Sequence, residues 1–137
     1  MSVGMSQILD NLYLGNLDDA LNAPPDFVIV CVLEYQPPNE PNGAYRFPFL
    51  EGGLANIKVL DEFADFVDKL LSEGRKVLVH CAMGVERSPL AVVWYLHKKK
   101  GMSIPEAYAF VKSKRNVVAD RSSWLPKSAL NGKHHTL

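Results

Sequence analysis

Apolar positions along this chain fall into dense short runs and longer stretches spaced by three or four residues. Ile8 to Gly15, reading ILDNLYLG, predicts one short strand ending at Gly15, and Asn16 to Leu21 predicts a brief helical turn stopped by Pro24-Pro25. The run from Phe27 to Leu33 (FVIVCVL) is almost unbroken and rich in β-branched residues. That is the pattern of a strand buried on both faces, as parallel sheets require. Gln36 to Gly43 holds three prolines, two asparagines and a glycine, so it predicts a loop. Ala44 to Leu50 resumes as a strand, which Pro48 confines to an edge or brings to an end, and Glu51-Gly52-Gly53 follows as a loop.

The period then changes. Ile57, Leu60, Phe63, Ala64, Val67, Leu70 and Leu71 share one helical face, with Asp61, Asp65, Asp68 and Lys69 on a solvated face opposite. Gly74 stands where a C-terminal cap belongs. Lys76 to His80 predicts another strand. Ser88-Pro89 predicts an N-cap and first helical residue, and that helix ends in Lys98-Lys99-Lys100 before Gly101, with its cations at the negative end of the dipole. Ser103-Ile104-Pro105-Glu106 is a capping box that opens a further helix, with Ala107, Tyr108 and Val111 inward. Trp124 and Leu125 anchor a final segment, and residues 130–137 form a loose tail. Strands mixed with helices, without repeat or linker, predict one α/β domain over residues 1–137. Its expected form is three-layered, a central mostly parallel or mixed sheet flanked by helices.

Composition narrows the partners. With 137 residues, 47% hydrophobic and 22% charged, the chain has the make-up of an ordinary globular domain. Its apolar runs are far shorter than the ~20 residues a membrane span needs. Met1 to Gly15 lacks the basic and apolar regions of a secretory signal, so a cytoplasmic protein is expected. Fifteen basic and fifteen acidic residues cancel, which gives no global electrostatic case for nucleic acid or an anionic membrane. Two cysteines make no disulfide framework, and Cys31 inside its apolar run is expected to be a small buried hydrophobe. His134-His135 has no cysteine or carboxylate cluster beside it, so neither metal nor cofactor is expected.

Local chemistry concentrates between His80 and Pro89. A strand feeds into Cys81, five residues (Ala82, Met83, Gly84, Val85, Glu86) separate it from Arg87, and a helix opens at once. Amides of a tight turn and the positive end of a helix then point at one spot beside a thiol, which is an anion cradle that favours the thiolate. Arg87 would grip two phosphate oxygens with its planar fork, and Gly84 lets the backbone turn its amides inward. Cys81 is the expected nucleophile. The bland reading, a buried thiol at a strand end, leaves unexplained an arginine six positions later around a glycine turn.

His80-Cys81-x5-Arg87-Ser88 resembles the signature of the cysteine-dependent protein tyrosine phosphatases, in particular the small dual-specificity group. Ile8 to Ala20 is similar to that group's N-terminal strand. Phe47 to Glu51 falls where it carries its general-acid segment, and Leu96 to Arg115 resembles its stretch after the loop. The resemblance implies the phosphatase-like fold and hydrolysis of phosphotyrosine, with phosphoserine and phosphothreonine, through a phosphocysteine intermediate. It further implies a phosphate-binding loop from Ala82 to Arg87, Glu51 as general acid, and Ser88 hydrogen-bonded to the Cys81 sulfur. His80 would support the loop, and phosphorylated proteins or peptides would be the partners of an expected monomer.

Three departures qualify this picture. Glu86 replaces the usual small residue before the arginine, Glu51 replaces the usual aspartate, and Asn116 replaces a proline. Free glutamate and aspartate differ by only about 0.4 pKa units, so acidity does not disqualify Glu51. A carboxylate of Glu86 pointing inward would repel phosphate, so it is expected to point outward and pair with a neighbouring base. The same departures motivate an alternative, a phosphate-binding module with little turnover. Sulfur transfer from a Cys81 persulfide is a third reading, which the Gly84 and Arg87-Ser88 context disfavours.

Overall fold

The computed structural model describes residues 4–35, 37, 43–49 and 55–130. Among these, five strands form one sheet: β1 (Ser6–Leu9), β2 (Leu12–Gly15), β3 (Phe27–Cys31), β4 (Tyr45–Arg46) and β5 (Lys76–His80). Their order is β1-β2-β5-β3-β4, with β1 antiparallel to β2 and the remaining pairs parallel. The helices are α1 (Leu17–Leu21), α2 (Ile57–Ser72), α3 (Arg87–Lys100), α4 (Ile104–Lys114) and α5 (Lys127–Leu130), with a 3-10 turn at Ser122–Trp124. This is the expected α/β architecture, a mixed and mostly parallel sheet flanked by helices.

Strand alternation sorts the apolar residues onto two unequal faces. Leu12, Leu14, Val28, Val30, Val77 and Val79 join the main core with α2, α3 and α4. Ile29 and Leu78 face the other way and meet Ala20 of α1, with Tyr13 and Phe27 packed alongside. The main core is dominated by α3, in which every residue from Arg87 to His97 is buried. A helix apolar on nearly all sides belongs inside, and α2 covers it with Leu60, Phe63, Ala64, Val67 and Leu70. Full burial of a side chain such as Leu60 or Phe63, both 0% exposed, is worth roughly 1.5–3 kcal/mol.

Three local expectations change. Ile8 to Gly15 is not one strand but most of a hairpin, turned at Asp10-Asn11, with Asn11 at φ 66°. Apolar residues on both sides of that turn hid it, although asparagine is among the few side chains that accept the left-handed region. The strand expected over Ala44–Leu50 pairs only at Tyr45–Arg46, at the sheet edge before Pro48. The acidic face of α2 is only partly solvated: Asp65 is exposed and pairs there with Lys99 Nζ at 2.6 Å, but half-buried Asp61 accepts from Trp94 Nε1 at 2.8 Å. Asp68 accepts from the Tyr95 hydroxyl at 3.3 Å. The loop around residues 36–43 falls mostly outside the described residues, as do Gly52, Gly53, His134 and His135.

The strand register positions the site. Gly15 and Cys31 both stand opposite His80, so β2, β5 and β3 end level with one another. Open α/β sheets bind ligands beyond the carboxyl ends of their strands, and Cys81 is the next residue after that edge.

Candidate active site

The residues between β5 and α3 form a loop whose carbonyls are fastened on its outer side. His80 Nδ1 donates to the Cys81 carbonyl at 3.1 Å, a bond that places the ring proton on Nδ1 because a carbonyl only accepts. The Leu17 amide donates to Ala82 O at 3.0 Å, Arg115 Nε to Gly84 O at 2.9 Å, and the Ala119 amide to Val85 O at 2.9 Å. Within a planar trans peptide the N–H of the next residue points opposite to the carbonyl. Tying these oxygens outward therefore turns the amides of Ala82, Met83, Val85 and Glu86 toward the interior of the loop. Four donors converging beside a helix N-terminus make an anion site.

Gly84 is required twice over. Its φ of 70° lies in the left-handed region, and a Cβ there would come within 2.6 Å of Arg115 Nη2 and 2.8 Å of the Gly15 carbonyl. The backbone thus passes between β2 and a buried arginine with no space for a methyl group. Glycine at this position is more than an ordinary turn residue.

Cys81 is 4% exposed, and its Sγ lies 3.1 Å from the hydroxyl of fully buried Ser88. Ser88 is not the N-cap that its neighbour Pro89 implied. The helix starts at Arg87 with Glu86 in the cap position and without a side-chain cap bond. Ser88 instead directs its hydroxyl to the thiol, and the open helix end remains available to a ligand. Cys31 is also buried, and its Sγ accepts from Arg46 Nη1 at 3.8 Å.

A small cleft of about 110 Å³ opens over the loop, lined by Cys81, Ala82, Met83, Glu86 and Arg87. Arg87 is 7% exposed, and its Nη1 stands 3.5 Å from Glu34 Oε1 just beyond β3. Glu86 Oε2 accepts Nε of Arg121 at 2.9 Å and its Nη2 at 2.7 Å, while Glu106 closes the capping box with Ser103. That box holds the Glu106 carboxyl below the usual range through hydrogen bonds from the backbone and hydroxyl of Ser103. Glu51, the expected general acid, lies outside the described residues.

Sequence reasoning missed three residues here: Glu34, Arg121 and Arg115. Arg115 is 2% exposed and is more deeply buried than Arg87. Besides Gly84 O, it donates through Nη1 to Gly4 O at 2.6 Å and to the Ser6 hydroxyl at 3.1 Å. It joins the start of the chain, the loop and the end of α4. Burial lowers its pKa, and the charges of Asp19 and Cys81 act in the opposite direction. The only signal in the sequence was its place within the Leu96–Arg115 resemblance.

Comparison with known proteins gives the family. The dual specificity phosphatase catalytic domain family matches residues 51–126, and the chain belongs to that family. Human dual specificity protein phosphatase 8 is 29% identical over 143 residues, covering 90% of this chain and 21% of that protein. The Arabidopsis thaliana protein-tyrosine-phosphatase IBR5 is 39% identical over 115 residues, covering 80% and 44% respectively. The chain therefore spans a fifth to under half of the length of these relatives. Among solved structures, human DUSP28 aligns with a TM-score of 0.75 at 21% identity, over 96% of this chain and 93% of that one. No helix among the described residues is long and apolar enough to cross a membrane.

Proposed function

We propose that this chain is a protein phosphatase that hydrolyses phosphotyrosine, and phosphoserine or phosphothreonine, through a phosphocysteine intermediate. The observation that carries the reading is the cradle itself, Cys81 Sγ beside the Ser88 hydroxyl under a ring of amides whose carbonyls are tied outward. In the first step the Cys81 thiolate attacks phosphorus while the ester oxygen leaves with a proton from Glu51. Loop amides and the Arg87 fork hold the equatorial oxygens as charge spreads over them. In the second step water attacks the phosphocysteine, Glu51 accepts its proton, and the sulfur departs as a thiolate stabilised by the Ser88 hydroxyl. Phosphorylated proteins or peptides are the substrates, and no resident metal takes part in these steps.

Pre-steady-state turnover of an aryl phosphate tests this. A burst of aryl alcohol, abolished in Cys81→Ser, is expected, as is a slower second step in Ser88→Ala. Binding of phosphate with neither burst nor turnover would instead mark the chain as a low-turnover binding module. Glu51→Gln is expected to slow poor leaving groups far more than activated ones, and an equal, negligible effect on both would move the acid role elsewhere.

A further inference from the structure

Glu86 belongs to the lining of the cleft over the loop, and the setting of its carboxylate bears on substrate choice. Arg121 holds it through Oε2, and Arg121 is itself fixed: its backbone N–H donates to the Tyr108 hydroxyl at 3.1 Å, and its guanidinium lies 5.9 Å from the Trp124 ring centroid. A carboxylate has about four acceptor positions, so Oε1 can still receive an incoming donor. Glu34, 36% exposed, brings a second carboxylate beside Arg87. Arg87 is nearly buried and meets a ligand from within the cleft, where phosphate claims its charge. Around a bound phosphate, Glu34 and Glu86 then set two negative charges against the positive charge of Arg121.

We propose that Glu86 is a specificity-determining residue. With Glu34, it makes the mouth of the cleft favour phosphopeptides carrying lysine or arginine next to the phosphorylated residue. It disfavours those carrying a neighbouring carboxylate or a second phosphate. The inference rests on the phosphatase reading above and deepens it by naming a substrate class. A flanking cation meets Glu86 Oε1 and Glu34. A flanking anion faces both carboxylates and reaches Arg121 only by displacing Glu86 from a two-bond contact.

The test uses matched phosphotyrosine peptides that differ only in a flanking Lys or Glu, and reads the ratio of their kcat/KM values. For the wild-type chain a ratio of about three- to tenfold in favour of Lys is expected, mainly in KM, since exposed charge pairs contribute modestly. It should shrink toward one as salt rises from about 0.05 to about 1 M. Glu86→Gln removes one charge and releases Arg121, so its ratio is expected to fall to one or below. Arg121→Gln leaves Glu86 uncompensated, so its ratio is expected to rise. Each ratio is internal to one protein and does not depend on how much activity a variant keeps. A wild-type ratio at or below one, or an unchanged ratio in Glu86→Gln, overturns the inference. Failure of the phosphatase reading shows separately as no turnover of an aryl phosphate. The same Lys-to-Glu comparison, taken as Kd on the Cys81→Ser protein, then still decides the matter.

Discussion

Arg115 and Arg121 leave the same short segment behind α4, six residues apart, and both hold the phosphate loop. Arg115 is 2% exposed and bonds neutral oxygens: the carbonyls of Gly84 and Gly4 and the Ser6 hydroxyl. The Arg121 side chain is 37% exposed and holds one carboxylate, that of Glu86. The first contact fixes backbone geometry, because buried carbonyls without a donor are costly in every state of the loop. The second adjusts the charge at the mouth, where solvent weakens it but a substrate can compete for it. The shape of the loop thus depends on one guanidinium, and under the proposal above its selectivity depends on another in different dielectric surroundings.

The largest effect should follow removal of Arg115. Arg115→Ala strands several buried acceptors and leaves a cavity, so a loss of about 3 kcal/mol or more in urea unfolding is expected. Turnover of an aryl phosphate should fall with it, because the Gly84 carbonyl is no longer held outward. Arg115→Lys keeps the charge without the fork and should recover only part of either property. Unchanged stability in Arg115→Ala would rule out the structural role.

Gly84→Ala tests the same contact from the other side. The methyl group would lie 2.6 Å from Arg115 Nη2 and 2.8 Å from the Gly15 carbonyl, at a φ of 70°. Strain of this kind costs roughly 1–3 kcal/mol. Because the displaced backbone is the cradle itself, activity should drop more than stability does. A Gly84→Ala enzyme as active as the wild type would mean that the loop tolerates a different path.

The sequence made one half of this comparison visible and hid the other. The strand Lys76–His80, Cys81, Arg87 and the helix after them are contiguous, so hydrophobic pattern and spacing together disclosed the cradle. The Ser103–Glu106 capping box was legible for the same reason, being complete within four residues. Arg115 follows Lys112 and Lys114 at the end of α4, and nothing local sets it apart from them. Its burial depends on Gly4 and Ser6, more than a hundred residues away, and no local pattern records that. That Glu86 would pair with a base followed from the charge expected at the loop, whereas the identity of its partner, 35 residues on, did not. Ser88 carried two readings, an N-cap from the Ser-Pro pattern and a sulfur contact from the resemblance. Both call for the same side chain at nearly the same place, and the structure shows the second. The Asp10-Asn11 turn was lost because apolar residues on both sides read as a single strand.

Tyr108 connects the two regimes and gives a pH prediction. It is buried, accepts the Arg121 backbone N–H, and burial raises its pKa above the ordinary phenol value. Tyr95 is likewise raised, to about 12, by burial first and then by the charge and hydrogen bond of Asp68. A folded chain that keeps protons the unfolded chain gives up loses stability as pH rises. The contribution is fully present below about pH 10, where free phenols titrate, and for Tyr95 is lost on the way to about pH 12. Thermal unfolding should therefore shift to lower temperature across that window. Tyr95→Phe and Tyr108→Phe should each flatten the alkaline fall, and a slope identical to wild type in both would contradict the assignment.

The smallest expected effect sharpens the comparison most. Removing Arg121 or Glu86 breaks a partly exposed ion pair, for which coupling near that of surface pairs, about 0.2–1 kcal/mol, is expected. A double-mutant cycle with Arg121→Ala and Glu86→Ala, measured by urea unfolding, should return a value in that range and decline with added salt. The same cycle on Arg115 and Ser6, whose contact is partly buried at 3.1 Å, should be insensitive to salt. Equal salt dependence in the two cycles would mean that both arginines act as surface charges. If the cycles differ as expected, Arg121 and Glu86 can be changed to alter which substrates are favoured without disturbing the backbone that Arg115 holds.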